Sequence, residues 1–388
     1  MTSAALKSKQ PARRGDATAG AGSDPLTKLI ELEGGFAPAA PTTPMATGVD
    51  PVLLQGLALK FANSVPQFTT QWAARQMRLP VQLAEEILWE LKQDKLVEIL
   101  GQEGPFNYRY AATQQGRAQA SRLLEISGYL GPAPVSLESY VAFLEWQVAR
   151  QPAPDLARVR RAAASLVLPE ATVEVAALAA CSGRSLFLFG PAGNGKSTLG
   201  RLLHNVLEGD IWIPHAISLD SSILRLFDPQ CHQPSDDQSE QDGGVDHRWL
   251  HIRRPYIVAG GEMTLRDLDL IWSPSLRFYE APPHVKANGG LFLIDDFGRQ
   301  LIDPHDLLNR WIVPLEQRID YLTLNTGQKL QLPFLLMLVV ATNLDINEVA
   351  DPAFLRRMGY RLRLDAPSAE DYVQIFRAYA EQRNLPVE

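Results

Sequence analysis

The segment Ser185–Thr198, SLFLFGPAGNGKST, constrains this chain more than any other. Its apolar start, Ser185–Phe189, is a run of the kind that forms a strand buried on both faces of a parallel sheet. A glycine-rich turn follows at once, and then the helical pattern LGRLLHNVL. The spacing GxxxxGK[ST] is met by Gly190, Gly195, Lys196 and Ser197. Glycines let the backbone curl so that its N–H groups point inward at phosphate oxygens, and the helix N-terminus adds its dipole. Gly190, Pro191, Ala192, Gly193, Asn194, Gly195, Lys196, Ser197 and Thr198 are therefore the expected phosphate cradle. Within it, Lys196 is expected to reach the β- and γ-phosphates of ATP, and the Ser197 hydroxyl to ligate Mg²⁺. A strand before the motif and a helix after it are the context that separates a phosphate loop from an accidental glycine turn.

Two further apolar runs end in polar residues. Leu291–Ile294 delivers Asp295 and Asp296, the pattern of a buried strand that carries a carboxylate to a metal at its C-terminal edge. Asp295 is expected to hold Mg²⁺ and Asp296 to orient the attacking water. Asp296-Phe297-Gly298 also matches a kinase motif, but neither the catalytic loop nor the strand lysine of a protein kinase accompanies it. The third run, Leu335–Ala341, leads to Thr342 and Asn343. On a central strand between the other two, Asn343 would contact the γ-phosphate or the lytic water. Beyond it, DPAFLRRMGYRLRL reads as a helix ending in Arg356 and Arg357, followed by a strand. A cation there can be offered to a neighbouring subunit's γ-phosphate; Arg357 is the preferred finger and Arg356 the alternate.

Apolar runs alternate with helical patterns up to about residue 365, which predicts an α/β domain with a parallel sheet over 159–365. Residues 1–49 are rich in Ala, Gly, Pro, Ser and Thr and read as a flexible tail, with one helical turn or two expected at Leu26–Leu32 on docking. Residues 50–131 read as three helices, a strand–turn–strand and a closing helix, the order of a winged-helix domain. They hold eight basic and eight acidic side chains, and the third helix carries Glu85, Glu86 and Glu90. Phosphate attraction dominates sequence-independent DNA binding, so this neutral unit is better suited to docking protein, with DNA as the less favoured partner. Residues 132–158 read as a connector holding one helix, and 366–388 as the start of a helical lid. Asp228–His247, with six acids and no Lys or Arg, is expected to be a mobile insertion. His247 and His251 have helical spacing, but with Cys231 and His232 they lack the paired cysteines of a structural zinc site.

Composition narrows the setting. The chain has 388 residues, 46% hydrophobic and 21% charged, enough for two or three cores and too apolar for a disordered protein. Its longest apolar stretch falls far below the ~20 residues of a membrane-spanning helix. The basic start MTSAALKSKQPARR is followed by GDATAGAGSDP rather than an apolar segment, and there are two cysteines; a cytoplasmic location is expected. Net charge of −7 argues against attraction to nucleic acid over the whole surface.

With these motifs in order, residues from about 159 resemble an AAA+ ATPase of the MoxR-like branch. The likeness extends over most of 50–388 to bacterial chaperone-like ATPases associated with Flp pilus assembly. It is carried by GPAPVSLESY, GPAGNGKST, GGEMTLRDLDL, YEAPPHVKANGGLFLIDDFGRQ, LLNRWIVPLEQRIDYLTLNTGQKLQLPF, ATNLD and AFLRRMGYRLRL. The resemblance implies MgATP hydrolysis at the subunit interfaces of a homo-oligomeric, hexameric ring that remodels a protein client. It gives Lys196, Ser197, Asp295, Asp296, Asn343 and Arg357 the roles set out above. Many relatives have Glu where Asp296 stands. A hairpin of Tyr321–Asn325 and Lys329–Pro333 around Thr326-Gly327-Gln328 is expected just before the Asn343 strand; in the family a hairpin at that place projects toward the ring's pore or a partner. Only the first helix of the family's lid is recognisable, without its sensor arginine, so weaker nucleotide binding, slower turnover and poorer assembly are expected. A nucleotide-gated scaffold and a DNA-binding ATPase are the contrasting readings.

Overall fold

The computed structural model describes residues 29–32, 35–164, 166–220, 222–236, 244–346 and 352–383. Its centre is a five-stranded sheet in the order Tyr256–Ala259, Leu291–Ile294, Met337–Thr342, Leu186–Phe189, Tyr360–Arg363, with every neighbouring pair parallel. Side chains alternate across its two faces, as the pleat requires. Leu186, Leu188, Leu291, Leu293, Val339 and Ala341 pack with the helices Leu156–Ala163, Glu170–Ser182 and Lys196–Asn205. Phe187, Phe292, Leu338 and Val340 face the other way, against Leu307, Trp311, Phe334 and Phe354. Burial on both faces explains why these strands read as unbroken apolar runs.

A second five-stranded sheet was not legible as such. It is mixed, in the order Ile271–Ser273, Phe278–Glu280, Ser222–Arg225, Ala216–Leu219, Val135–Ser136. The helix Leu137–Arg150 buries Tyr140, Phe143 and Leu144 in its core. The stretch expected to be a connector thus supplies a strand and a core helix. The hairpin observed is Ile319–Thr323 paired with Lys329–Pro333, two residues earlier in its first strand than expected.

Before this body come the helices Pro51–Ser64, Thr70–Met77 and Val81–Gln93, an antiparallel ribbon Val97–Gly104/Asn107–Ala112, and the helix Gln114–Ile126. Phe68–Thr69 adds a short edge strand. Asp50, Thr69 and Thr113 each cap the helix that follows, accepting from the amides of Val52, Trp72 and Gly116. This unit is tied to the body: Gly128 N–H donates to the Leu276 carbonyl at 2.9 Å, and Arg277 reaches the Glu125 carbonyl. Buried Arg248 pairs with Asp246 and also donates to the carbonyls of Thr47 and Pro134.

Three expectations need correction. Leu29–Leu32 is a strand paired with Gly35–Pro38, not a helical turn; Leu26, Thr27 and Lys28 lie outside the described residues. The β-branched Ile30 and antiparallel pairing with Gly35–Pro38 favour extension. The expected insertion is anchored at both ends: Asp228 pairs with Lys286 at 2.7 Å, and Asp246 is buried against Arg248. Its residues 237–243 lie outside the described set. His251 sits on the strand Trp249–Ile252 and His247 just before it, so the two have no helical relation. The last described helix, Ala369–Gln382, opens on a Ser368/Asp371 capping box and leaves Tyr372, Phe376 and Tyr379 exposed.

At the foot of the hairpin, buried Asp320 accepts two hydrogen bonds from Arg310, each 2.6 Å, and one of 2.8 Å from His284. Burial alone would push the Asp320 carboxyl up, but these donors outweigh it and hold the pKa at about 2. A carboxyl lowered in the folded state gives stability that is present above its unfolded value near 4 and is lost as pH falls toward 2. Urea-unfolding midpoints from pH 6 to 3 check this. Asp320→Asn should cost about 3 kcal/mol at pH 6, the lower end for a broken buried ion pair, and should flatten the decline below pH 4.

Candidate active site

The strand Leu186–Phe189 runs into a loop whose backbone only glycine can follow easily. Gly190, Gly193 and Gly195 have φ of 133°, 82° and 81°. At Gly190 a Cβ would collide with the Leu364 carbonyl, because the loop lies against the end of the neighbouring edge strand. Asn194 pins the loop's other side, its amide donating 3.1 Å to that same carbonyl. Gly195 then caps the helix Lys196–Asn205. Lys196 is buried, and its Nζ donates to the carbonyls of Gly190 at 2.9 Å and Pro191 at 2.8 Å. Burial, the largest influence, lowers its pKa; the charges of Asp295 and Asp296 oppose that shift.

The registers Leu291↔Met337 and Val339↔Leu186 bring the ends of three strands level. As a result Ser197 Oγ donates to Asp295 Oδ2 at 2.6 Å. Beside them, Asn343 Nδ2 donates to Asp296 Oδ1 at 3.0 Å. Lys196, Ser197, Asp295, Asp296 and Asn343, drawn from three separate stretches of sequence, thus meet at one end of the sheet. Asp296 has a φ of 49°, in the left-handed region that Asp tolerates better than most residues.

Sequence reasoning missed the groups that hold this corner. Buried Thr342 donates from Oγ1 to the Phe297 carbonyl at 2.7 Å, and Phe297 N–H donates to Ala341 O at 2.8 Å. The Gln300 side chain bridges the Gly298 amide and the carbonyls of Asp295 and Gly260. Exposed Glu262 accepts from the Gly260 amide, at the tip of the strand beside Asp295. Three of these residues lie in loops after strands, where nothing in the periodicity distinguishes them from ordinary turn residues.

Arg356 and Arg357 lie elsewhere. The helix Pro352–Arg357 ends beside Arg184, Ser185 and Gly359, at the start of the Leu186 strand rather than its end. Arg357 Nε donates to Glu316 at 2.6 Å. The sheet therefore separates both arginines from Lys196 of the same chain.

The donors present suit a magnesium–phosphate group. Ser197 and Asp295 offer hard oxygen ligands side by side. The curled loop with a lysine at its base is a cradle for anionic oxygens. A parallel sheet with this loop and helix fits a P-loop fold.

No protein-family model matches the sequence. No curated protein matches it either. Among solved structures the chain is similar to NtrX from Brucella abortus, crystallised in complex with ADP. That match has a TM-score of 0.34 and 14% identity, and covers 62% of this chain and 44% of that one. The chain therefore spans less than half the length of that protein.

The loop's packing makes its glycines unequal. A Cβ at Gly193 would meet nothing within 4 Å, whereas one at Gly190 meets backbone. Gly193→Ala should cost only the left-handed conformation, about 1–2 kcal/mol, and Gly190→Ala clearly more. Urea denaturation of the two variants checks the order; equal losses would contradict the packing.

Proposed function

We propose that this chain binds and hydrolyses ATP with Mg²⁺, as an AAA+ ATPase whose site is completed by a second copy. The observation that carries the reading is the meeting of Lys196, Ser197, Asp295, Asp296 and Asn343 at the carboxyl ends of three adjacent strands. Loop amides and Lys196 would bind the phosphates, with Nζ exchanging the Gly190 and Pro191 carbonyls for phosphate oxygens. Ser197 and Asp295 would hold the metal, which neutralises phosphate charge when bound. Asp296, fixed by the Asn343 amide, would orient the attacking water and accept its proton.

In this reading Arg357, with Arg356 as alternate, serves a neighbour's γ-phosphate. Support comes from their place at the opposite end of the sheet from their own chain's loop. Repetition of that contact would close a ring, hexameric as in the family that the sequence resembles. The N-terminal unit would be a winged helix used to dock protein, since its third helix turns Glu86 to solvent. A chaperone-like action on a protein client, in the MoxR-like manner and linked to pilus assembly, follows from the family resemblance alone.

Three variants test the assignment. Lys196→Ala should lose ATP binding in equilibrium dialysis. Asp296→Asn should retain ATP while phosphate release falls by about 10²–10⁴-fold, the worth of a positioned base. Arg357→Ala should lower turnover by ~10³-fold or more if it acts as a trans finger, and mixing it with Lys196→Ala should restore part of the activity. Mixed assemblies without recovery would sink the shared site.

A further inference from the structure

A cleft of about 710 Å³ lies between the N-terminal helices and the body, far from the phosphate loop in sequence and in lining. Its size is that of a ligand pocket, roughly 300–1,000 Å³. One wall is Leu53, Leu57 and Leu123 from the helices Pro51–Ser64 and Gln114–Ile126. The opposite wall is Leu324 and Leu330 from the hairpin, with Ile223 from the mixed sheet. Val52 and Ile126, 71% and 65% exposed, extend this apolar surface to the lip.

Polar groups interrupt the apolar lining, Ser136, Ser218 and Gln328 among them, and two more, Lys60 and Ser127, have hydrogen-bonding capacity left over. Lys60 is only 5% exposed. Its ammonium donates to the carbonyls of Ser127 at 2.9 Å and Tyr129 at 2.7 Å, which occupies two of its three protons. Burial lowers its pKa to about 8, and no carboxylate forms an ion pair with it among the described residues. Ser127 Oγ is buried and has no hydrogen-bond partner among the described residues. A cation and a hydroxyl left short of acceptors inside a cleft fit an anionic oxygen pair.

The lip carries the opposite sign. Asp50, Glu138 and Asp220 line the cleft and are all exposed. An occupant that answers all three features has an anionic end, then an apolar stretch, then a cation. We propose that the cleft receives the C-terminal end of a partner polypeptide, its carboxylate on Lys60 and Ser127, its last apolar side chains between the two leucine walls, and a preceding basic residue against the acidic lip. Backbone and side chain then share the work of recognition, as in other modes of capture of a chain terminus. Because the walls belong to both the N-terminal helices and the hairpin, an occupant bridges those two parts.

The test uses the full chain and no nucleotide, so its outcome is independent of the ATPase reading. The probe is a pool of heptapeptides with Lys fourth from the end and Val, Ile, Leu or Phe mixed over the last three positions, made as free acids and as amides. Immobilised protein should enrich the free acids over the amides by about tenfold or more, the effect of one charge-assisted hydrogen bond. Lys60→Met should abolish that preference. Glu138→Lys, at an exposed position in the first turn of its helix, should reduce capture of the free acids. Equal capture of acids and amides, or capture of neither, overturns the proposal. So does displacement by octanoate as effective as by free peptide, since octanoate lacks the cation.

Discussion

Everything at the candidate active site depends on backbone pairing among three short parallel strands. Leu186–Phe189, Met337–Thr342 and Leu291–Ile294 are joined by hydrogen bonds and packed on both faces, so each has one register available to it. A slip of one residue would turn Phe187, Phe292 and Leu338 to the face now packed by Ala and Leu, and would move the loop, the acid pair and the amide out of step. The chemistry is polar and lies at the end of the sheet, but the force that aligns it is apolar burial deeper in the sheet. Parallel strands also need long crossovers, and those crossovers carry the mixed sheet, the hairpin and the helices that pack around Trp311.

The N-terminal unit is joined to this body by more than a linker. Ala216, Ile223 and Phe278 of the mixed sheet belong to the same apolar cluster as Leu54, Phe61 and Leu88 of the leading helices. Arg248 adds polar stitching, since one guanidinium satisfies Asp246 and two carbonyls from distant parts of the chain. A buried charge of this kind is costly unless every donor is used, which favours one arrangement of the segments over its near alternatives.

How much of this could be read from the sequence depended on periodicity. The phosphate loop, the acid pair and the leading helices were legible because each combines an apolar rhythm with a distinctive terminator: a glycine run, adjacent carboxylates, or a threonine before the helix such as Thr69. The mixed sheet was not, because Val135–Ser136, Ile271–Ser273 and Phe278–Glu280 are two or three residues long, too short for a pattern. The anchors of the acidic segment also escaped notice. Asp246 reads as a solvated charge until its partner Arg248 is seen folded back on it. At the site, the meeting of Asn343 with Asp296 follows from strand order, which no local pattern encodes. Gln300 and Thr342 act through main-chain contacts that have no signature.

The left-handed backbone at Asp296 has a consequence for side-chain choice. With φ at 49°, that position favours Asp, Asn and Gly over residues with longer or branched side chains. The bend itself therefore selects a short carboxylate at this position. What the shorter arm gives up in reach is offset by where the main chain sets it down, one turn-forming step beyond the sheet and within the grasp of the Asn343 amide. Lengthening the side chain there would trade local backbone ease for extension, so geometry and chemistry at this corner can only change together.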